Sequence, residues 1–116
     1  MDIVQRSVGD VIVLDLAGRI TFMQGDVLLR SAIQGLVDRG QAKIVLNLAD
    51  VSYVDSSGLG ELVNAHTAVS QAGGRLKLAN ISTHLRELLK MTRLLAVFDA
   101  FDSSDGAVAS FSATPG

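Results

Sequence analysis

Two adjacent hydroxyls, those of Ser56 and Ser57, stand in the run Tyr53-Val54-Asp55-Ser56-Ser57-Gly58-Leu59-Gly60-Glu61-Leu62. A serine hydroxyl can accept a phosphoryl group, or it can attack a carbonyl once a base takes its proton. The second chemistry needs companions that the spacing does not supply. A nucleophile elbow reads Gly-x-Ser-x-Gly, whereas the residue two before Ser56 is Val54 and the residue two before Ser57 is Asp55. Of the two histidines, His66 lies about 15 Å from Ser56 along a helix rising 1.5 Å per residue, out of reach of a general base. Seven residues after Leu59, it reads as a packed or half-exposed histidine, and His84 as a decoration at the start of a surface helix. No catalytic triad is expected, and the chain is not expected to be an enzyme.

Phosphate acceptance asks for less. The apolar run Ile44-Val45-Leu46-Asn47-Leu48 precedes the serines, and Leu59, Leu62, Val63 and Val69 follow at helical spacing. The serines therefore fall where a strand hands over to a helix. There the first N–H groups lack intrahelical partners and the helix dipole adds partial positive charge, so a phosphate is tolerated by its own domain. The plainer role of Ser56 at such a junction is an N-cap. The two roles are compatible if one serine caps and the other is modified. Gly58 and Gly60 each cost a helix up to about 1 kcal/mol, and a plain N-cap needs neither. They make more sense where another chain approaches closely.

Other sites fail on spacing. Gly58-Leu59-Gly60-Glu61-Leu62-Val63 matches only the first two glycines of a dinucleotide fingerprint, and no Gly-Lys-Ser/Thr is present to hold a triphosphate. Asp99, Asp102 and Asp105-Gly106 are spaced by three, which is wrong for a calcium loop with ligands at alternate positions. Neither a metal nor a cofactor is expected.

The elements that hold the junction follow from periodicity. Ile3–Val8 and Val11–Leu16 read as strands around a Gly9-Asp10 reversal. Asp26 caps a helix carrying Leu29, Ala32, Ile33, Leu36 and Val37, which Gly40 stops. After Ile44–Leu48, a helix runs from about Ser57 to Ala72 and ends at Gly73-Gly74. Leu76–Ala79 is a short strand, Ser82 or Thr83 caps a helix bearing Leu85, Leu88 and Leu89, Val97–Phe101 is a strand, and a last helix from about Ser104 uses Val108 and Phe111. This alternation predicts a mainly parallel sheet with right-handed crossovers.

Three strands place a polar residue on one alternate phase: Asp15, Asn47 and Lys77, each between two leucines. An unpaired buried charge costs several kcal/mol, so that face is expected to be at least partly wet, with helices chiefly on the other. Val11, Val13 and Val45 share the polar residues' phase, which makes the face mixed and open to cover by a partner.

A chain of 116 residues with 48% hydrophobic content suits one domain, expected over residues 1–112, with a frayed tail at 113–116. A formal charge of −2 argues against a nucleic-acid partner. The absence of cysteine removes disulfides and thiolate metal sites and suits a reducing cytoplasm. No targeting segment is expected from the acidic start, and the apolar run Leu94–Phe98 is far short of the roughly 20 residues that span a bilayer.

The whole arrangement resembles the STAS domain family of bacterial anti-sigma factor antagonists. The resemblance is carried by Asp55-Ser56-Ser57-Gly58-Leu59-Gly60 after an apolar strand, the starting hairpin, Gly18-Arg19-Ile20-Thr21 before the first helix, and Gly73-Gly74-Arg75-Leu76-Lys77-Leu78 after the second. It implies an α/β fold with a mainly parallel four- to five-stranded sheet, helices chiefly on one face and an N-terminal hairpin strand. It further implies that Ser56 is the phosphoacceptor, and that Thr21, Asp55, Ser57, Gly58, Leu59 and Gly60 form the surface a partner reads. The implied partners are a kinase-type anti-sigma factor and a phosphatase, acting on a cytoplasmic monomer or weak homodimer. The same resemblance admits a scaffold of a larger signalling assembly or an accessory subunit of a lipid transporter. One loop departs from the family. Related antagonists often carry an acidic Gly-Glu-Leu-Asp pattern where this chain has Gly18-Arg19-Ile20-Thr21, which bears on the choice of partner. Phe22 and Met23 then either close the core or lie exposed in the contact surface.

Overall fold

Strand and helix alternate along the chain in the computed structural model, which describes residues 1–113. The elements are β1 (Asp2–Val8), β2 (Val11–Ile20), α1 (Asp26–Asp38), β3 (Lys43–Val54), α2 (Ser56–Gln71), β4 (Arg75–Ala79), α3 (Thr83–Met91), β5 (Asp99–Phe101) and α4 (Ser104–Ala113). They build one five-stranded sheet in the order β1-β2-β3-β4-β5. β1 and β2 form the antiparallel hairpin around Gly9-Asp10, and every later pairing is parallel. Of the tail expected at 113–116, Ala113 closes α4 and the rest lies outside the described residues.

The main core lies on one face. Ile12, Leu14, Leu16, Ile44, Leu46, Leu48, Leu76 and Leu78 point from the strands toward Leu29, Ile33 and Leu36 of α1, Leu62, Ala65 and Val69 of α2, and Leu85 and Leu89 of α3. Each fully buried leucine or isoleucine contributes about 1.5–3 kcal/mol by leaving water. The period-two reading of the strands thus selects the face on which three helices stack.

The opposite face divides in two. Across β1, β2, β3 and the residue after β4 runs a polar ladder. Arg6 Nε donates to Asp15 Oδ2 at 2.7 Å, Asn47 Nδ2 to Asp15 Oδ1 at 2.8 Å, and Asn80 Nδ2 to Asn47 Oδ1 at 2.9 Å. Asp15 and Asn47 are half-buried, as a partly wet face requires. Lys77 departs from that expectation, being only 4% exposed. The reason is α4, which covers this part of the sheet with Ala107, Val108 and Phe111 against Val11, Val13, Val45 and Ala79. Lys77 Nζ donates to Ser110 Oγ at 2.6 Å and lies 4.2 Å from the centre of the Phe111 ring. Burial pushes its ammonium below the ordinary value. Hydroxyl and aromatic partners thus accommodate a cation where the sequence suggested water. The valines noted on this phase are covered by the chain's own helix.

Several boundaries move. β2 and β3 extend past Leu16 and Leu48 to Ile20 and Val54, because two register shifts, between Asp15 and Ala17 and between Gly18 and Arg19, let pairing continue to Ile20 opposite Val54. Val97–Phe101 shortens to Asp99–Phe101, where β5 pairs with Lys77–Ala79 of β4. Asp26 is the first residue of α1 and not its cap. Gly25 takes the cap position with φ 95°, and Asp26 Oδ1 accepts from the neighbouring Val27 N–H at 2.8 Å.

Candidate functional site at the start of α2

The extra length of β2 and β3 ends both strands side by side, so the loop after β2 meets the beginning of α2. Asp55 joins them. Its Oδ1 accepts from the Gly58 N–H at 2.8 Å, the geometry of an N-cap, while its Oδ2 accepts from the Phe22 N–H at 3.1 Å. The Asp55 N–H in turn donates to the Ile20 carbonyl at 3.3 Å. The Gly58 N–H above all, with that of Phe22 among the smaller causes, holds the Asp55 carboxyl below its ordinary value. The acid therefore caps, and Ser56 becomes the first residue of the helix. Ser56 is exposed, and its hydroxyl makes no hydrogen bond among the described residues. Ser57 is half-buried.

The two glycines part ways. A Cβ at Gly58 would stand 1.9 Å from the Ile20 carbonyl oxygen, so the close approach that excludes a side chain is made by the chain's own β2. A Cβ at Gly60 would meet nothing within 4 Å, and this residue faces solvent. Leu59 is buried in the main core. Of the six residues expected to be read by a partner, Gly60 is exposed, Asp55 and Ser57 are half-buried, and Thr21, Gly58 and Leu59 are buried, while the expected phosphoacceptor Ser56 is exposed.

Thr21 shapes the neighbouring loop from within. Its N–H donates to the Gln24 carbonyl at 2.8 Å and its carbonyl accepts from the Gln24 N–H at 2.9 Å. This tight turn carries Met23 at φ 59° and lifts Phe22 and Met23 outward, 68% and 79% exposed. Of the two roles open to these residues, core closure is excluded. Val27 and Leu28 in the first turn of α1 are exposed as well. Four apolar side chains thus belong to the segment that Asp55 ties to Ser56. The sequence carried a signal for the last two, since Val27 and Leu28 fall off the Leu29–Ile33–Leu36 stripe.

Sequence reasoning also missed the clamp behind the site. Glu61, only 3% exposed, receives Arg30 Nε at 3.2 Å and Arg30 Nη2 at 2.9 Å, bracing α2 against α1. No local spacing signals a pair separated by 31 residues. The two histidines lie in other contacts. His66 meets the edge of Phe98 with ring centres 5.5 Å apart, and His84 stacks on Tyr53 at 6.1 Å. Among the described residues no group of three potential ligands gathers to hold a metal ion, and no helix is long and apolar enough to cross a membrane.

Comparison with known proteins agrees with this architecture. The model of the STAS domain matches residues 2–107. The anti-sigma-B factor antagonist of Bacillus subtilis is 38% identical over 95 residues, covering 82% of this chain and 85% of that protein. Among solved structures, an anti-sigma factor antagonist from Mycobacterium paratuberculosis superposes with a TM-score of 0.82 at 21% identity, over 94% of this chain and 92% of that one. The Bacillus cell fate determinant SpoIIAA in its phosphorylated form gives 0.76 at 20% identity, over 95% and 99%. With the family pattern spanning the sheet, its hairpin and the Ser56 junction, the chain belongs to the STAS domain family.

Proposed function

We propose that this protein is an anti-sigma factor antagonist whose binding to a kinase-type anti-sigma factor is switched by phosphorylation of Ser56. The observation that carries this reading is a serine with an exposed, unengaged hydroxyl at the first position of α2, tied through Asp55 to an exposed apolar loop. The relation to the anti-sigma-B factor antagonist supports it. So does the existence of a phosphorylated form of SpoIIAA, a protein of the same fold.

Unphosphorylated, the protein offers Ser56, Gly60 and the apolar side chains of Phe22 and Met23 to the anti-sigma factor, which then releases its sigma factor. Where relatives often use an acid, this loop places its contact on Phe22 and Met23, so the partner presents an apolar socket and not only an arginine. Transfer of the γ-phosphoryl group of ATP to Ser56 Oγ adds about −1.5 to −2 charge. Binding weakens 100-fold if desolvating that charge costs about 2.8 kcal/mol. Hydrolysis by a phosphatase restores the free hydroxyl. The protein is the substrate in this cycle and the catalysts are its partners.

The test is phosphorylation and binding with the cognate kinase. Wild type takes up one phosphate in the presence of ATP, and Ser56→Ala takes up none yet still binds. Ser57→Ala is modified normally, and Ser56→Asp binds more weakly. Phosphate on Ser57 would move the acceptor by one residue, and equal binding by every form would overturn the switch.

A further inference from the structure

β1 is an edge strand: the sheet order ends with it, and among the described residues no strand pairs with its outer side. Natural edge strands are ordinarily short, bulged, covered, or blunted by proline or charged side chains, lysine above all. This one has seven residues and pairs with β2 in unbroken register from Asp2 to Val8. It contains neither proline nor lysine, and Val4 is 61% exposed. Every second residue of such a strand turns its N–H and C=O outward, so β1 presents a row of free donors and acceptors to another strand.

We propose that the occupant of this edge is β1 of a second copy of the chain, paired antiparallel about a two-fold axis through Val4. Charge selects both the partner and the register. Inverting Asp2-Ile3-Val4-Gln5-Arg6 about Val4 sets Asp2 of each copy opposite Arg6 of the other, with Val4 against Val4 and Ile3 against Gln5. Moving the centre to Gln5 would instead oppose Asp2 to Val8 and Arg6 to Val4, losing both charge pairs. A two-fold interface of this kind is self-complementary, so the Asp2–Arg6 pair occurs twice.

The side chains are placed to use this register. Val4 and Arg6 lie opposite Asp15 and Val13 of β2, on the face of the sheet that α4 partly covers. α4 packs chiefly over β2 to β5 and meets β1 where its Ser104 accepts from Arg6. Arg6 already binds Asp15 Oδ2 at 2.7 Å and reaches Ser104 Oγ at 3.2 Å, which holds its guanidinium in place while 40% of the side chain stays accessible. Asp2 is exposed and belongs to none of the salt bridges among the described residues. Across the dimer, Arg6 would stand between Asp15 of its own β2 and Asp2 of the second copy. The sheet would run on through both copies, away from the Ser56 junction at the ends of β2 and β3.

Sedimentation equilibrium of the full chain, from micromolar to millimolar concentration, tests this. The wild type shows a monomer–dimer equilibrium, and hydrogen exchange of alternate β1 amides slows as concentration rises. Val4→Lys sets two like charges opposite each other and weakens the dimer about 100-fold. Asp2→Lys weakens it about tenfold. Both residues are exposed, so each variant keeps the wild-type circular dichroism spectrum. A wild type that stays monomeric at millimolar concentration overturns the proposal. So does a dimer that survives Val4→Lys, or one lost on Phe22→Lys instead, which would locate self-association at the apolar loop.

Discussion

The starts of α2 and α3 are both strand-to-helix junctions with serine at the turn, and they use it in opposite ways. At α3 the serine is the cap: Ser82 Oγ accepts from the Leu85 N–H at 3.0 Å, and its hydroxyl is committed to the fold. At α2 the acid one residue earlier caps, and Ser56 is left free. Asp55 has two oxygens to spend and two donors within reach, Gly58 on its own helix and Phe22 on the loop after β2. A serine in that place would satisfy the first and leave the second. A spare hydroxyl at a helix start is thus a consequence of a carboxylate that holds two segments together.

The largest expected effect separates the two glycines of the α2 junction. Gly58→Ala drives a methyl group into the Ile20 carbonyl and should destabilise the protein by about 3 kcal/mol. Gly60→Ala, with open space around it, should stabilise by about 0.5–1 kcal/mol through helix propensity. Urea denaturation of both variants checks the sign of each. If Gly58→Ala is neutral, the β2 end is not fixed against α2.

The caps come next. Ser82→Ala should cost about 1 kcal/mol, felt at α3 alone. Asp55→Ala should also loosen the loop, so that hydrogen exchange of the Phe22 amide rises along with that of Gly58. An effect confined to Gly58 would remove the link between the helix and the loop.

Smaller again, Ser56→Ala should leave the urea midpoint within the equivalent of about 0.5 kcal/mol, since the residue is exposed and caps nothing. A loss equal to that of Ser82→Ala would make Ser56 a second cap and dissolve the contrast.

The finest distinction is in pH. The Asp55 carboxyl titrates below its ordinary value of 3.8. Its contribution is therefore fully present above that value and is lost as the pH falls through the lower, folded one. Amide exchange at Gly58, corrected for its intrinsic rate, should lose protection in that acid window. Leu85, capped by a hydroxyl that does not titrate there, should keep its own. Equal loss at both amides would indicate global unfolding in place of local uncapping.

Much of this molecule was legible along the chain. Alternating strands, the 3.6-residue stripe of α1 and the Ser56 junction follow from side-chain periods that act over a few residues. So did the choice of the leucine face for the main core. The N-terminal hairpin followed from Gly9-Asp10 between two strand patterns. These are local properties, determined by the sequence itself.

What the tertiary structure alone decided are events between distant residues. That the capping Asp55 also holds the loop after β2 depends on the Phe22 amide, 33 positions away, which the shifted β2–β3 register brings alongside. Gly58 must be glycine because the Ile20 carbonyl arrives there by the same pairing. Lys77 is buried because α4 crosses over β4 and supplies Ser110 and Phe111 as partners. A charged residue on an alternating strand reads as wet until a later helix covers it. Period and capping signals carry one turn or one pleat of information, whereas register and helix docking are set by the packing of the whole sheet.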